Sequence, residues 1–187
     1  MQCPKDKQVT LVDSTFAKNL SVKHCPDCQG SWIPADEYQS WQARQPQHRA
    51  DPEVLAQTVN VNFVQSPFDT KAALCPDCQH YLSRAKVHFR TPFYVERCMY
   101  CGGIWCDNGE WDVLEKLGLH TSIEQMFSPE WQMRAREQEQ AVKERQAVID
   151  KLGPEIAAMV FKLGEVLGKH PYGEFGAAYL MRRFDKL

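Results

Sequence analysis

No apolar run in this chain is longer than the six residues from Ile156 to Phe161, far short of the ~20 that a membrane-spanning helix needs. The first residues hold no apolar stretch of the kind that directs export, so a cytoplasmic location is expected. An excess of one charge is also lacking. Lys and Arg number 22 against 24 Asp and Glu, a net of −2 at pH 7, which excludes a polyanion binder held by charge alone. No Ser-His-Asp order, Gly-rich phosphate loop or H-E-x-x-H pattern occurs, and a non-enzymatic role is expected. The 187 residues, 43% of them hydrophobic, suffice for a buried core in one ordinary domain or two small ones. Cysteine is what the chain has in abundance: eight, at 3, 25, 28, 75, 78, 98, 101 and 106. Without an export signal, that number points to metal or redox chemistry before disulfides.

Six of the eight form three C-x2-C pairs, Cys25/Cys28, Cys75/Cys78 and Cys98/Cys101. Laid on itself, the chain matches at two related offsets. Cys3-Pro4-Lys5-Asp6 falls on Cys75-Pro76-Asp77-Cys78, and Cys25-x2-Cys28 falls on Cys98-x2-Cys101. Beyond these, Gly30-Ser31-Trp32 matches Gly103-Ile104-Trp105, and Glu37-Tyr38 matches Glu110-Trp111. The chain therefore carries an internal repeat of two short units.

The second copy reads C-x2-C-x19-C-x2-C, the spacing of a structural zinc site. Each C-x2-C turn brings two sulfurs within about 4 Å, and two turns complete a tetrahedron with Zn–S near ~2.3 Å. Between the turns, Tyr81, Ser83, Ala85, Val87 and Phe89 alternate with Leu82, Arg84, Lys86 and His88, the period of a strand. Arg90-Thr91-Pro92 makes a turn and Phe93-Tyr94-Val95 returns, so a β-hairpin is expected. Asp107 and Glu110 then open a short helix that Gly118 stops. In the first copy, Asp6 stands where the second has Cys78. Its candidate ligands are Cys3, Asp6, Cys25 and Cys28, since a carboxylate also binds zinc. The alternative is a first copy that holds zinc weakly or has lost it. Strands are expected at Thr10–Phe16 and Leu20–His24, around a turn at Ala17-Lys18-Asn19.

The stretch from Cys98 to Glu110, Cys-Met-Tyr-Cys-Gly-Gly-Ile-Trp-Cys-Asp-Asn-Gly-Glu, resembles the prokaryotic family named for the zinc ribbon of transcription factor IIB. Cys25 to Trp32 is a degenerate relative of the same motif, so the resemblance is to two tandem ribbons covering about half the chain. It implies two zinc ions and small zinc-binding modules; a shared fold carries no role in transcription by itself.

The expected organisation is ribbon 1 over 1–44, a structured linker over 45–72, ribbon 2 over 73–120, and a helical region over 121–187. The fold class expected is small α+β, each ribbon hairpin followed by a short helix, with three helices at the C-terminal side. In the linker, Asp51-Pro52-Glu53 starts a helix running to about Thr58, and Val59–Val64 alternates like a strand. Beyond it, Ser128-Pro129-Glu130 caps a helix to Leu152, Gly153-Pro154 ends it and starts another, and His170-Pro171 separates a third. Ile156, Met159, Val160, Leu163 and Leu167 share one apolar face of the second of these.

The functional expectation is a zinc-stabilised module that contacts another macromolecule. Arg84, Lys86, His88 and Arg90 fall on one face of the strand, near Tyr94 and Tyr100, a pattern that can bind phosphate and stack on unpaired bases. Yet residues 75–120 hold five Lys and Arg against six Asp and Glu. Zinc on four thiolates adds −2 and zinc on three thiolates with Asp6 adds −1, taking the chain to −5. A protein partner is therefore expected before nucleic acid, with single-stranded RNA or DNA as the alternative and a homodimer through the C-terminal helices as a further one. Thiol–disulfide or zinc-dependent catalysis is the weaker reading, because each C-x2-C pair has a partner pair and no βαβ pattern surrounds it. Cys106 is left over and is expected to pack, as are Trp32 and Trp105 against their own hairpins and helices.

Overall fold

The computed structural model describes residues 1–16, 19–46, 50–56 and 60–184. The expected turn at Ala17-Lys18, the helix end at Thr58, the strand start at Val59, and Leu187 lie outside the described residues. The fold is α+β, with five α-helices and a six-stranded antiparallel sheet among the described residues. Two compact units divide the chain, Met1–Glu139 and Gln140–Leu187.

The first unit is built on the repeat. Strands β1 (Val12–Phe16), β2 (Leu20–His24) and β3 (Ser31–Ile33) come from the first copy, which ends in helix α1 (Ala35–Gln42). Strands β4 (Leu82–Val87), β5 (Phe93–Cys98) and β6 (Ile104–Cys106) come from the second, followed by α2 (Glu110–Lys116). The sheet order is β1-β2-β3-β6-β5-β4, so the copies meet edge to edge through their third strands. Trp32 faces Trp105 in that antiparallel register, flanked by Ser31 against Cys106 and Ile33 against Ile104. Because Trp32 and Trp105 are matched residues of the repeat, a pseudo-twofold axis passes through this pair.

Each copy alone exposes the edge of a three-residue strand, and pairing the two edges removes that liability. Both central strands are buried throughout, because the sheet is covered on two faces. Ile33 and Ile104 point into the larger core with Tyr38, Trp41, Phe93, Val95 and Leu114. Trp32 and Trp105 point the other way, into a second cluster with Cys3, Cys25, Cys75 and Cys98. The expected period-two pattern of β4 holds at Ala85 and Val87 but not at its start. Tyr81 is 76% exposed and Leu82 is buried, because Leu82 packs into the cysteine cluster on the opposite face.

The tryptophans are not wedged within their own copies; they are exchanged. A Cβ added at Gly30 would lie 2.3 Å from the Trp105 ring, and one at Gly103 would lie 2.1 Å from the Trp32 ring. Each indole therefore packs closely against the other copy's glycine, reciprocally about the axis.

In the connecting segment, Pro52–Ala56 forms a 3₁₀ turn, shorter than the helix expected there. Residues 60–66 form no strand. Val61 and Phe63 are instead half-buried singly against the core, with Phe63 packed on Phe93 at 5.1 Å between ring centroids. The alternation there reflects burial of alternate side chains without a backbone partner. Helix α3 (Pro129–Leu152) begins where Ser128 Oγ accepts the Trp131 N–H, and its Trp131 and Ala135 are buried in the first unit. The second unit holds the rest of α3, then α4 (Pro154–Lys169) and α5 (Gly173–Phe184).

Candidate metal centres

Three of the four knuckles share one backbone design. In each, the N–H four residues after the first cysteine donates to that cysteine's carbonyl: Gln29 to Cys25, Gln79 to Cys75, Gly102 to Cys98. The first cysteine's own N–H then donates to the carbonyl five residues on, at Gly30, His80 and Gly103 respectively. The closing residues Gln29, Gln79 and Gly102 all take positive φ, at 60°, 62° and 84°. The turn aims both sulfurs of a pair to one side.

In the second copy this brings all four thiols together. Cys75, Cys78, Cys98 and Cys101 offer sulfurs within 4.8 Å of one another, with Cys75–Cys101 at 3.5 Å and Cys78–Cys98 at 3.4 Å. A tetrahedral zinc with Zn–S near ~2.3 Å needs sulfurs about 3.8 Å apart, so the set fits zinc closely. Against burial, the N–H groups of Cys101 and Tyr100 pull the Cys98 thiol down to about 7, toward the thiolate that a metal requires.

The first copy brings together Cys3, Cys25 and Cys28, with Cys3 and Cys28 sulfurs 3.6 Å apart. The Cys28 thiol and, against burial, the N–H groups of Asp6 and Lys5 pull Cys3 down to about 6. Asp6 is not in this group. Its N–H donates to Cys3 Sγ at 3.3 Å, as the knuckle demands, but its Oδ1 accepts the Gln8 N–H at 3.1 Å. His24 is engaged elsewhere, its ring nitrogens 3.1 Å from Ser31 Oγ and 3.2 Å from Gln29 Oε1. Cys106 is buried in the larger core, its thiol pushed well up by burial, and joins neither centre.

The basic strand is dispersed. His88 is buried and paired with Glu139 of α3. The Arg84 guanidinium lies 4.0 Å over the Tyr94 ring and donates to the carbonyl of Asp69. Lys86 is half-buried and Arg90 exposed.

A buried charge network joins the two copies. The side chain of Lys5 is fully buried and donates to Glu96 Oε1 at 2.6 Å and to the carbonyls of Phe68 and Lys71. Across the pseudo-twofold the matched residues are Asp77 and Lys23. Asp77 Oδ2 accepts Trp32 Nε1 at 3.0 Å. Lys23, held above the usual lysine range chiefly by Asp13 at 2.6 Å, also feels the charge of Asp77. The knuckle and strand residues have exchanged signs between the two sides. Self-alignment already holds this signal, Lys5 against Asp77 and Glu96 against Lys23, although charge reversal at matched positions is not among the features that mark a metal site.

Beside Lys5, the buried carboxylates of Asp69, Asp107 and Glu110 come within 4.8 Å of one another. Glu110 Oε2 accepts the Asp107 N–H at 2.8 Å, the expected reach back from the helix start, while its Oε1 accepts no hydrogen bond. Burial, with Asp107 beside it, pushes the Glu110 carboxyl well above the usual carboxylate range. A raised folded-state pKa means the folded form holds a proton that the unfolded form releases, so stability falls as pH rises above about 4.3. Glu110→Gln removes that dependence. Urea unfolding from pH 5 to 8 should show the variant gaining on wild type by up to ~1.4 kcal/mol per pH unit; a constant difference across the range would refute the assignment.

Two cysteine groups of zinc geometry, mounted on the paired knuckles of one sheet, make this a zinc-binding protein. Residues 2–44 match the family model of the TFIIB-type zinc ribbon, described as a transcription factor zinc-finger. The match covers the copy that carries Asp6. No curated protein and no solved structure matches the chain.

Proposed function

We propose that the chain is a zinc-scaffolded protein-interaction module, in which the second copy is a further ribbon of the same kind and the helical unit carries the contact surface. The observation behind this reading is the apolar face of α4 and α5. Met159 is 63% exposed, Val166 57%, Phe175 72% and Phe184 70%, on helices in which, among the described residues, Ala157 and Gly173 alone are buried. Monomers rarely leave contiguous apolar patches larger than about 600 Å² to water. The net charge of −2, lowered further by zinc-bound thiolates, favours a protein over duplex nucleic acid. The role is binding, since four thiolates saturate the second zinc. No helix among the described residues is long and apolar enough to cross a membrane.

The test combines sedimentation of the full chain with affinity capture from native extract, for wild type and Met159→Glu/Phe175→Glu. Wild type should self-associate or retain a stoichiometric protein, and the variant should lose that contact with its zinc content unchanged. A monomer whose captured proteins ignore the substitution would overturn the reading.

One observation favours single-stranded nucleic acid as a second reading. His80 and Tyr100 stack at 4.2 Å across the two knuckles of the second copy, and Tyr81 and Tyr100 are 76% and 75% exposed. Such rings can stack on unpaired bases. Salt-sensitive RNA recovery that Tyr100→Ala abolishes would move the assignment there.

A further inference from the structure

We infer that Asp69, Asp107 and Glu110 form a third metal site, one for a divalent cation that prefers oxygen donors, of the calcium, magnesium and manganese class.

The three carboxyls come from different parts of the first unit. Asp69 belongs to the connecting segment, Asp107 follows β6, and Glu110 opens α2. They are 0%, 4% and 0% exposed, and each offers an oxygen within 4.8 Å of the other two. Oxygens so spaced reach a common ion at about 2.0–2.6 Å after small shifts. Hydrogen bonds already hold the set in place. Asp69 Oδ1 accepts the Tyr94 N–H at 2.8 Å, and its Oδ2 accepts Gln65 Nε2 at 2.5 Å. Asp107 Oδ1 accepts Trp105 Nε1 at 2.7 Å, and Glu110 Oε2 accepts the Asp107 N–H at 2.8 Å.

Glu110 Oε1 is different. It is buried and accepts no hydrogen bond among the described residues, on a carboxyl that feels the charges of Asp107 and Asp69. A buried oxygen left in this way calls for a ligand. Water would supply hydrogen bonds here but no charge, and charge is what the group lacks. Asp69, Asp107, Glu110 and Glu96 are all buried, and within this group Lys5 and Arg84 are the cations. Two negative charges stay unbalanced, the charge of one divalent ion. Carboxylates taken from water are paired or bound to metal. One proton on Glu110 relieves half of the excess; the ion relieves all of it and sends that proton to water.

Oxygen donors select a hard cation, whereas the two cysteine groups select zinc. The two kinds of site therefore load separately. An ion held here clasps the connecting segment to the end of β6 and the start of α2.

Because the site is buried, the full chain is refolded from urea with Zn²⁺ and excess Mn²⁺, and both metals are counted after gel filtration. Wild type should retain one manganese per chain. Glu110→Gln and Asp69→Asn keep the side-chain shape and remove a charge, so each should lose the manganese with zinc unchanged. Asp13→Asn, at an exposed carboxyl paired with Lys23, should keep it. The urea midpoint should rise with Mn²⁺ concentration in wild type and stay fixed in Glu110→Gln. The inference is overturned by a wild type that holds no manganese or whose midpoint ignores Mn²⁺. Manganese kept by both Glu110→Gln and Asp69→Asn overturns it too, as does a third zinc that those variants lose.

Discussion

Gly103→Ala is expected to destabilise the protein by ~3 kcal/mol or more, at the upper end for an overpacked core. The added methyl would lie 2.1 and 2.5 Å from two carbons of the Trp32 ring. That ring is fully buried, and its Nε1 is tied to Asp77, so it cannot swing aside without breaking a cross-copy hydrogen bond. Gly164 supplies the control. A methyl there meets nothing within 4 Å, and Gly164→Ala in mid-helix should be neutral or stabilising by up to ~1 kcal/mol. Urea midpoints would compare the two, and Trp32→Phe in the Gly103→Ala background should recover part of the loss. A cost below ~1 kcal/mol for Gly103→Ala would show that the tryptophan–glycine contact is not fixed as described.

Lys5→Met should cost ~3–5 kcal/mol, the range for a buried ion pair that loses one member. The carboxyl of Glu96 is already pushed up to about 7 by burial, with Lys5 opposing that shift. Removing the ammonium leaves the carboxylate buried with less compensation and leaves two backbone carbonyls without their donor. Adding Glu96→Gln removes the stranded charge, so the double variant should be at least ~1 kcal/mol more stable than the sum of the single effects. A double-mutant cycle by urea denaturation measures this directly. Additive effects would mean that Lys5 acts through its aliphatic stem and not its charge.

The hairpins, the second thiolate set and the C-terminal helices follow from patterns that are local in sequence. Spacing fixes Cys75, Cys78, Cys98 and Cys101, and the Pro and Gly punctuation fixes Ser128 to Pro171. The joining of the copies was less legible. Ser31–Ile33 and Ile104–Cys106 are three residues each, too short to show a period, and they become strands only because each has the other as partner. The exchange of Trp32 and Trp105 follows from that pairing and could not be read from either copy alone. Asp6 shows the opposite difficulty. Its alignment with Cys78 is sound by residue count from Cys3, and its N–H still meets Cys3 Sγ, but its carboxylate accepts the Gln8 N–H outside the sulfur group. His88 misled in a simpler way, since α3 covers it from 51 residues further along the chain.

The exchanged signs at Lys5/Glu96 and Asp77/Lys23 favour the pairing of one copy with the other. Two first copies from different molecules would set Lys5 beside Lys23, and two second copies would set Asp77 beside Glu96. Only the mixed pair sets Lys5 on Glu96 and Lys23 in the favourable field of Asp77, and like charges in such positions are costly. Tethering the halves in one chain then makes the correct mate the nearest one. A single gene that encodes both halves of a twofold pair can also alter one half without altering the other. The second copy keeps four cysteines together where the first has three.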